Sequence, residues 1–471
     1  MSATERRAAP PARVSAEHRI TTLDSGVRVV SERVPGVRSA ALGFWVGTGS
    51  VSESERQAGI SHLLEHMLFR GSARFRSQEI DEIFDAMGAE VNAGTDKEAT
   101  SLYTRVLDRH LERAFEVMSD MVWHPRFGEL EAEREVVLEE IAMYEDDPQD
   151  RAFEELGRAI FGEHPLGRPV IGTADSVRAV TREQLGAFHA ERYGPGNVVI
   201  AAAGSVDHDA LVALAAAADA GREQGADENG RGGRGEAAGG ADEPSAAGHA
   251  GESSAAGDAR AAARAQPRFE RRARFKQKDT EQYHVCVGGA GMARQDERRF
   301  ALRVLEGVLG GTSSSRLFQQ VRERRGLAYS IFTFSNLYAH TGEVGLYVGT
   351  RPDNLGEALA VVAAELRRCV EDPASGEELA RSRENLKGRM VLSMESTGAR
   401  MSRLGASVLS GMPILSLDEA IERIDAVELE HLRELAAELF VPDGLSTAGV
   451  GPDEGDFRAA IAALAGAGAA R

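Results

Sequence analysis

The stretch GISHLLEHMLFRGS, residues 59–72, decides how this chain is read. A helix is predicted from about Ala58 to Phe69. His62 and His66 are four residues apart in it, so their imidazoles share one face at ~5–6 Å, where one cation can bridge them. Glu65, three residues after His62, lies on the same side and can reach a water beside that cation without ligating it. The order is H-x-x-E-H, the reverse of the commoner H-E-x-x-H. The chemistry is the same in both: a metal lowers the pKa of water and polarises a carbonyl, while the carboxylate relays the proton. A sensor or storage site has no use for such an unliganded carboxylate.

A catalytic zinc takes three protein ligands and keeps one position open. The third is offered by EREVVLEEIAMYEDD, residues 133–147, which also reads as a helix. Glu133 and Glu140 are two turns apart on one of its faces. Spacing alone does not choose between Glu139 and Glu140. A His₂Glu set suits manganese and cobalt as well as zinc.

The rest of the composition narrows the function classes. Of 471 residues, 74 are acidic and 55 are Lys or Arg, a formal charge of -19. Such a field disfavours nucleic acid and anionic membranes as partners. Only Cys286 and Cys369 are present, in no CxxC pair, so neither a disulfide framework nor a thiolate metal site is expected. The chain fits a reducing, cytoplasmic setting. No run of ~18 uncharged apolar residues predicts a membrane span. Residues 1–16 are polar, carry Pro10 and Pro11, and read as a disordered tail rather than a signal peptide.

Between Ala215 and Arg268 there is no Val, Leu, Ile, Met, Phe, Tyr or Trp. That stretch cannot bury enough apolar surface to offset its ordering entropy and is predicted as a flexible linker. It divides the chain into an N-terminal domain, 17–214, and a C-terminal domain, 269–471. Before it, HRITTL, VRVVSERV and RSAALGFWVG read as strands. The metal helix, SQEIDEIFDAMGA, a hairpin from AEVNAGTD and EATSLYTRVL, two amphipathic helices and the strand NVVIAAAGSV follow. After it, the strand QYHVCVGGAG leads to the helix RRFALRVLEGVLG. Next come a Gly/Ser loop, a helix SRLFQQVRERRG, the strands AYSIFTFSNL and GEVGLYVGT, two more helices and the strand GLSTAGVG. The matching order implies an internal duplication.

At these residues the chain resembles the pitrilysin/insulysin family of inverted-motif zinc metallopeptidases, in its bacterial and mitochondrial-processing-peptidase branch. GISHLLEHMLFRGS resembles that branch's zinc helix, and EREVVLEEIAMYEDDP its distal-glutamate helix, where the second Glu of the pair is the ligand. The resemblance thus implies one Zn²⁺ held by His62, His66 and Glu140, with Glu65 as general base and Glu133 as the outer carboxylate. HPLGRPVIGT (164–173) is similar as well. SSSRLFQQVRERRGLAYSI resembles the substrate-clamping segment, which carries over to Arg322 and Tyr329: an Arg donating to a peptide carbonyl and a Tyr near the oxyanion. EVNAGTDKEATSLY resembles the edge strand that binds peptide by strand addition, at Asn92 and Ala93. GVLGGTSSSR, residues 307–316, resembles the family's Gly-rich loop. It lacks the Gly-Lys-Ser/Thr ending of a nucleotide loop, and its plain reading is a helix-to-helix connection.

The fold implied is α+β: two homologous α/β domains, each an antiparallel-rich sheet with helices on one face, closing as a clamshell. The activity implied is hydrolysis of internal bonds in short or unfolded peptides, by a homodimer or a heterodimer with a related subunit. The alternative is a non-catalytic partner subunit, which usually lacks one of the motif residues; all four are present here.

Overall fold

The computed structural model describes residues 18–231 and 265–465. The predicted tail and residues 232–264 of the predicted linker lie outside these. The first half runs β1 (His18–Thr22), β2 (Arg28–Arg33), β3 (Ser39–Val46), α1 (Ile60–Leu68), α2 (Ser77–Met87), β4 (Val91–Thr95), β5 (Thr100–Leu107), α3 (Leu111–Trp123), α4 (Leu130–Asp146), α5 (Pro148–Phe161), α6 (Ala174–Ala179), α7 (Arg182–Arg192), β6 (Val198–Gly204) and α8 (His208–Arg231). The second runs β7 (Ala273–Gln277), β8 (Tyr283–Gly291), α9 (Arg299–Leu309), a π-helical turn (Phe318–Glu323), β9 (Ala328–Leu337), β10 (Gly342–Thr350), α10 (Leu355–Glu371), α11 (Gly376–Ser393), α12 (Thr397–Ser410), α13 (Leu417–Asp425), α14 (Leu429–Leu439), β11 (Ser446–Gly451) and α15 (Glu454–Ala465).

From β2 and β7 onward the two orders correspond element by element. The sheets are β1-β2-β6-β3-β5-β4 and β7-β11-β8-β10-β9. In each, one parallel pair (β2 with β6, β7 with β11) joins an otherwise antiparallel set. The predicted α+β duplication is therefore the observed fold. The helix expected over SRLFQQVRERRG is present, as the π-helical turn.

The expectation of helices on one face of each sheet also needs correction. Each half covers one face of its sheet with its own helices and lends one helix to the other half. α5 lies across β7, β8 and β11, while its counterpart α12 lies across β2, β3 and β6. Met401 and Leu404 of α12 pack with Ala41, Val199 and Ala201. Leu156, Ile160 and Phe161 of α5 pack with Cys286, Tyr347 and Val450. Large apolar side chains contribute roughly 1.5–3 kcal/mol each on full burial, so each exchanged helix adds several kcal/mol to the docking. That exceeds what a polar, sliding inter-domain contact would give. Ion pairs mark both crossings: fully buried Glu32 of β2 meets Arg400 and Arg403, and Glu155 of α5 meets Arg274 of β7.

The linker boundary moves as well. α8 continues to Arg231, and Ala215 is fully buried against the first core. Alanine is the best helix former and serves here as a core-facing residue, which a search for large apolar side chains overlooks. Among the described residues no helix is long and apolar enough to cross a membrane.

Candidate active site

α1 is anchored at its start by a carboxylate. Fully buried Glu53 accepts from the backbone N–H of Gly59 and of Ser61, each at 2.8 Å. Burial pushes its carboxyl up to about 7 in spite of those bonds. Gly59 sits at φ +91 with its backbone against Ile171 and Gly172; a Cβ there would come within 2.5 Å of Ile171 O. Through this close approach the segment HPLGRPVIGT braces the start of the metal helix. Apolar residues on the other side of α1, among them Leu63, Leu64, Met67 and Leu68, are buried in the first core.

The polar side of α1 faces α4. Here His62, His66 and Glu140 converge, their ligand atoms all within 4.8 Å of one another. Glu140 Oε2 is 3.7 Å from His62 Nε2 and 3.3 Å from His66 Nε2. Ligands around a tetrahedral ion at ~2.0–2.1 Å stand about 3.3 Å apart, so Glu140 is at nearly the spacing a zinc requires from both imidazoles. Glu139 is exposed and is not part of that group. The ambiguity that spacing left is resolved by the face on which Glu140 lies.

Glu133, one face and two turns away, is 3% exposed and accepts from His66 Nδ1–H at 2.7 Å. Its other oxygen takes the Arg70 guanidinium. Burial acts to raise its carboxyl, but these two partners outweigh it and the carboxyl ends below the usual range. His66 is the mirror case: burial lowers it, yet hydrogen bonds to Glu133 and Glu140 raise it to about 9. Burial first, and the neighbouring His66 second, push His62 down to about 4. That donor set, with one imidazole fixed by an outer carboxylate, fits zinc. His62 Nδ1, by contrast, is buried without a hydrogen-bond partner.

Glu65 is raised by burial, against the effect of a hydrogen bond from Thr95 Oγ1 at 2.5 Å. Thr95 ends β4, the last strand of its sheet, which pairs with β5 alone. Asn92 and Ala93 lie on that same strand; Asn92 is exposed and its Oδ1 accepts from Ala93 N at 2.8 Å. Arg322 and Tyr329 come together, with the guanidinium 4.5 Å over the Tyr329 ring and donating to Tyr329 O at 2.8 Å. Neither forms a hydrogen bond or ion pair with His62, His66 or Glu140, and Tyr329 is 77% exposed. Gly307 and Gly310 of the Gly-rich segment are packed against Ser382 and Thr333, as a tight connection demands.

Thr95, Arg70 and Glu53 were absent from the residues the sequence singled out. Thr95 alternates with Ala93 on one side of its strand, and Arg70 lies two turns after His62, so both carried a periodic signal. Glu53 carried none, because its role depends on a loop.

Residues 28–174 match the family described as Insulinase (Peptidase family M16), and residues 179–386 match the Peptidase M16 inactive domain. A Bacillus subtilis protein named as an uncharacterized zinc protease is 38% identical over 424 residues, covering 90% of this chain and 95% of its own. The chain belongs to the M16 peptidase family. A Streptomyces coelicolor M16 relative of the same description is also 38% identical, over 89% of this chain and 87% of its own. Among solved structures, a Pseudomonas fluorescens peptidase M16 inactive domain superposes with TM-score 0.78 at 22% identity, over 93% of this chain and 98% of that one. A Helicobacter pylori protease does so with TM-score 0.78 at 20% identity, over 93% and 100%. These two show the shared M16 fold. The inactive-domain match begins before β6, so its border precedes the change of sheet.

Proposed function

We propose that this M16 member is a zinc-dependent endopeptidase acting on short or unfolded peptides. The observation that carries the reading is the convergence of His62, His66 and Glu140 beside a half-buried Glu65 outside that group. Zinc in that set supplies Lewis acidity, lowering the pKa of water and polarising the scissile carbonyl. Glu65 takes a proton from the attacking water and returns it to the leaving amine. Glu133 holds His66 Nδ1–H so that Nε2 faces the ion. Thr95 fixes the Glu65 rotamer. The free edge of β4 adds a peptide strand, with Asn92 and Ala93 at the contact.

Arg322 and Tyr329 bind substrate from the second half. Within one chain they bond to each other and form no hydrogen bond or ion pair with His62, His66 or Glu140, and the exchanged helices hold the two halves together. They therefore reach the cluster from a partner subunit, identical or related, and the peptide chamber is a clamshell closed between two chains. Folded proteins are excluded from it. The setting is cytoplasmic, consistent with the free, buried Cys286 and Cys369.

The test is purified protein with its zinc counted and a quenched fluorescent peptide library as substrate. The expected outcome is one zinc per chain and internal cleavage that a chelator abolishes and zinc restores. A chain that holds zinc but cleaves nothing, alone or with a related subunit, would support the non-catalytic partner instead.

A further inference from the structure

The turn that follows Thr95 is held from the other half of the molecule. Glu98, in that turn, accepts from Ala339 N at 2.8 Å through Oε1 and from Arg294 Nη2 at 2.5 Å through Oε2. Ala339 lies between β9 and β10, and Arg294 N donates to Tyr338 O at 2.8 Å in the same turn. The homologous hairpins of the two halves thus meet turn to turn through one carboxylate. The Glu98 and Arg294 side chains are 22% and 31% exposed, and together they line both cavities, of about 780 and 510 Å³, in the seam between the halves. A partly screened, charge-assisted pair with a second bond to an amide is worth more than an exposed surface pair.

The turn transmits position. Asp96 Oδ1 accepts from Glu98 N and Ala99 N at 2.7 Å each, and Asp96 N donates to Ala99 O at 2.8 Å. Outside the turn, Asp96 O accepts from Ser50 N at 3.2 Å and Lys97 O from Val51 N at 2.8 Å. A Cβ on Gly49 would collide with Asp96 O. A turn bonded this closely moves as a unit with Thr95, whose hydroxyl holds Glu65.

We propose that Glu98 is a positioning residue: by clasping the β9–β10 turn of the second half, it fixes the β4–β5 turn and, through Thr95, the carboxylate of Glu65. The chemistry of the first half is thereby coupled to docking of the half that lacks it. The clasp rests on the peptidase reading, and its test separates the two.

Zinc content, kcat and KM are measured for the full chain and for Glu98→Ala, Glu98→Gln, Thr95→Val and the double variant Glu98→Ala/Thr95→Val. Displacing a catalytic group by ~1 Å can cost up to about 10²-fold, and a loosened turn costs part of that. Glu98→Ala is expected to lower kcat per bound zinc about tenfold. Glu98→Gln, which keeps an acceptor for Ala339 N, falls between it and the wild type. Thr95→Val is costly in the wild type and much less so in Glu98→Ala, because the bond it removes is already weakened. A general loss of fold would lower zinc occupancy and melting temperature without producing that coupling. If the wild type cleaves while both Glu98 variants keep its kcat, or if Thr95→Val costs the same in both backgrounds, the clasp is overturned and the peptidase reading stands. If zinc-loaded wild type cleaves nothing, alone or with a related subunit, both fall together.

Discussion

α1 and α9 are the same helix twice. Leu63, Leu64, Met67 and Leu68 of the first correspond to Val304, Leu305, Val308 and Leu309 of the second, and all eight are buried. The difference is on the other face. His62 is replaced by Arg303 and His66 by Gly307, while Glu65 persists as Glu306. In place of a metal site the second half has an Arg303 to Glu306 pair at 3.3 Å. Where His66 meets Glu133 on α4, Gly307 packs directly on Ser382 of α11. The fold supplies the same pair of facing helices in both halves, and a few polar side chains decide which pair can hold an ion. Architecture and chemistry are separable here.

The comparison can be sharpened by pH. In the first half, His66 is held protonated up to about 9 by Glu133 and Glu140, and that proton must leave before an ion binds. Below about pH 9 proton and zinc compete, so affinity falls as pH falls, by about tenfold per unit while one proton is displaced. From pH 8.5 to 6.5 zinc should bind about 100-fold more weakly, as read by chelator competition. A flat profile would mean that Glu133 and Glu140 do not hold His66 protonated in this range. The second half, with no histidine in α9, contributes nothing to this dependence.

A smaller effect breaks the comparison from the other side. If Gly307 is the price of filling the vacant position, a methyl group there must displace Ser382, since a Cβ would run into Ser382 Oγ. Gly307→Ala should destabilise by about 1–3 kcal/mol, as overpacking does, visible as a lower urea midpoint. Ser382→Gly in the same chain should recover part of it. A neutral Gly307→Ala would show that the packing there tolerates more than the geometry implies.

Much of this was legible beforehand because it is periodic. The H-x-x-E-H face, the alternating strands and the apolar stripes of α1 to α4 repeat at 3.6 or 2 residues, and they gave both the fold and the cluster. What escaped was set by tertiary context. Spacing left Glu139 and Glu140 open and only the resemblance pointed to Glu140, because the choice depends on the rotation of α4 against α1. The exchange of α5 and α12 between the halves leaves no periodic mark, because a helix stripe does not say which sheet it covers. Ala215 was lost to the predicted linker because small residues can face a core. Arg322 and Tyr329, carried over from the resemblance, are neighbours.

The central claim is that hydrolytic chemistry resides in one of two homologous helices. Glu65→Gln and Glu306→Gln, prepared side by side and assayed for zinc content and peptide cleavage, test it most directly. The account predicts that both retain one zinc per chain, that Glu65→Gln loses about 10²–10⁴-fold in kcat as removal of a general base does, and that Glu306→Gln keeps the wild-type kcat. Zinc-loaded Glu65→Gln cleaving at the wild-type rate, or Glu306→Gln losing as much as Glu65→Gln, would contradict it.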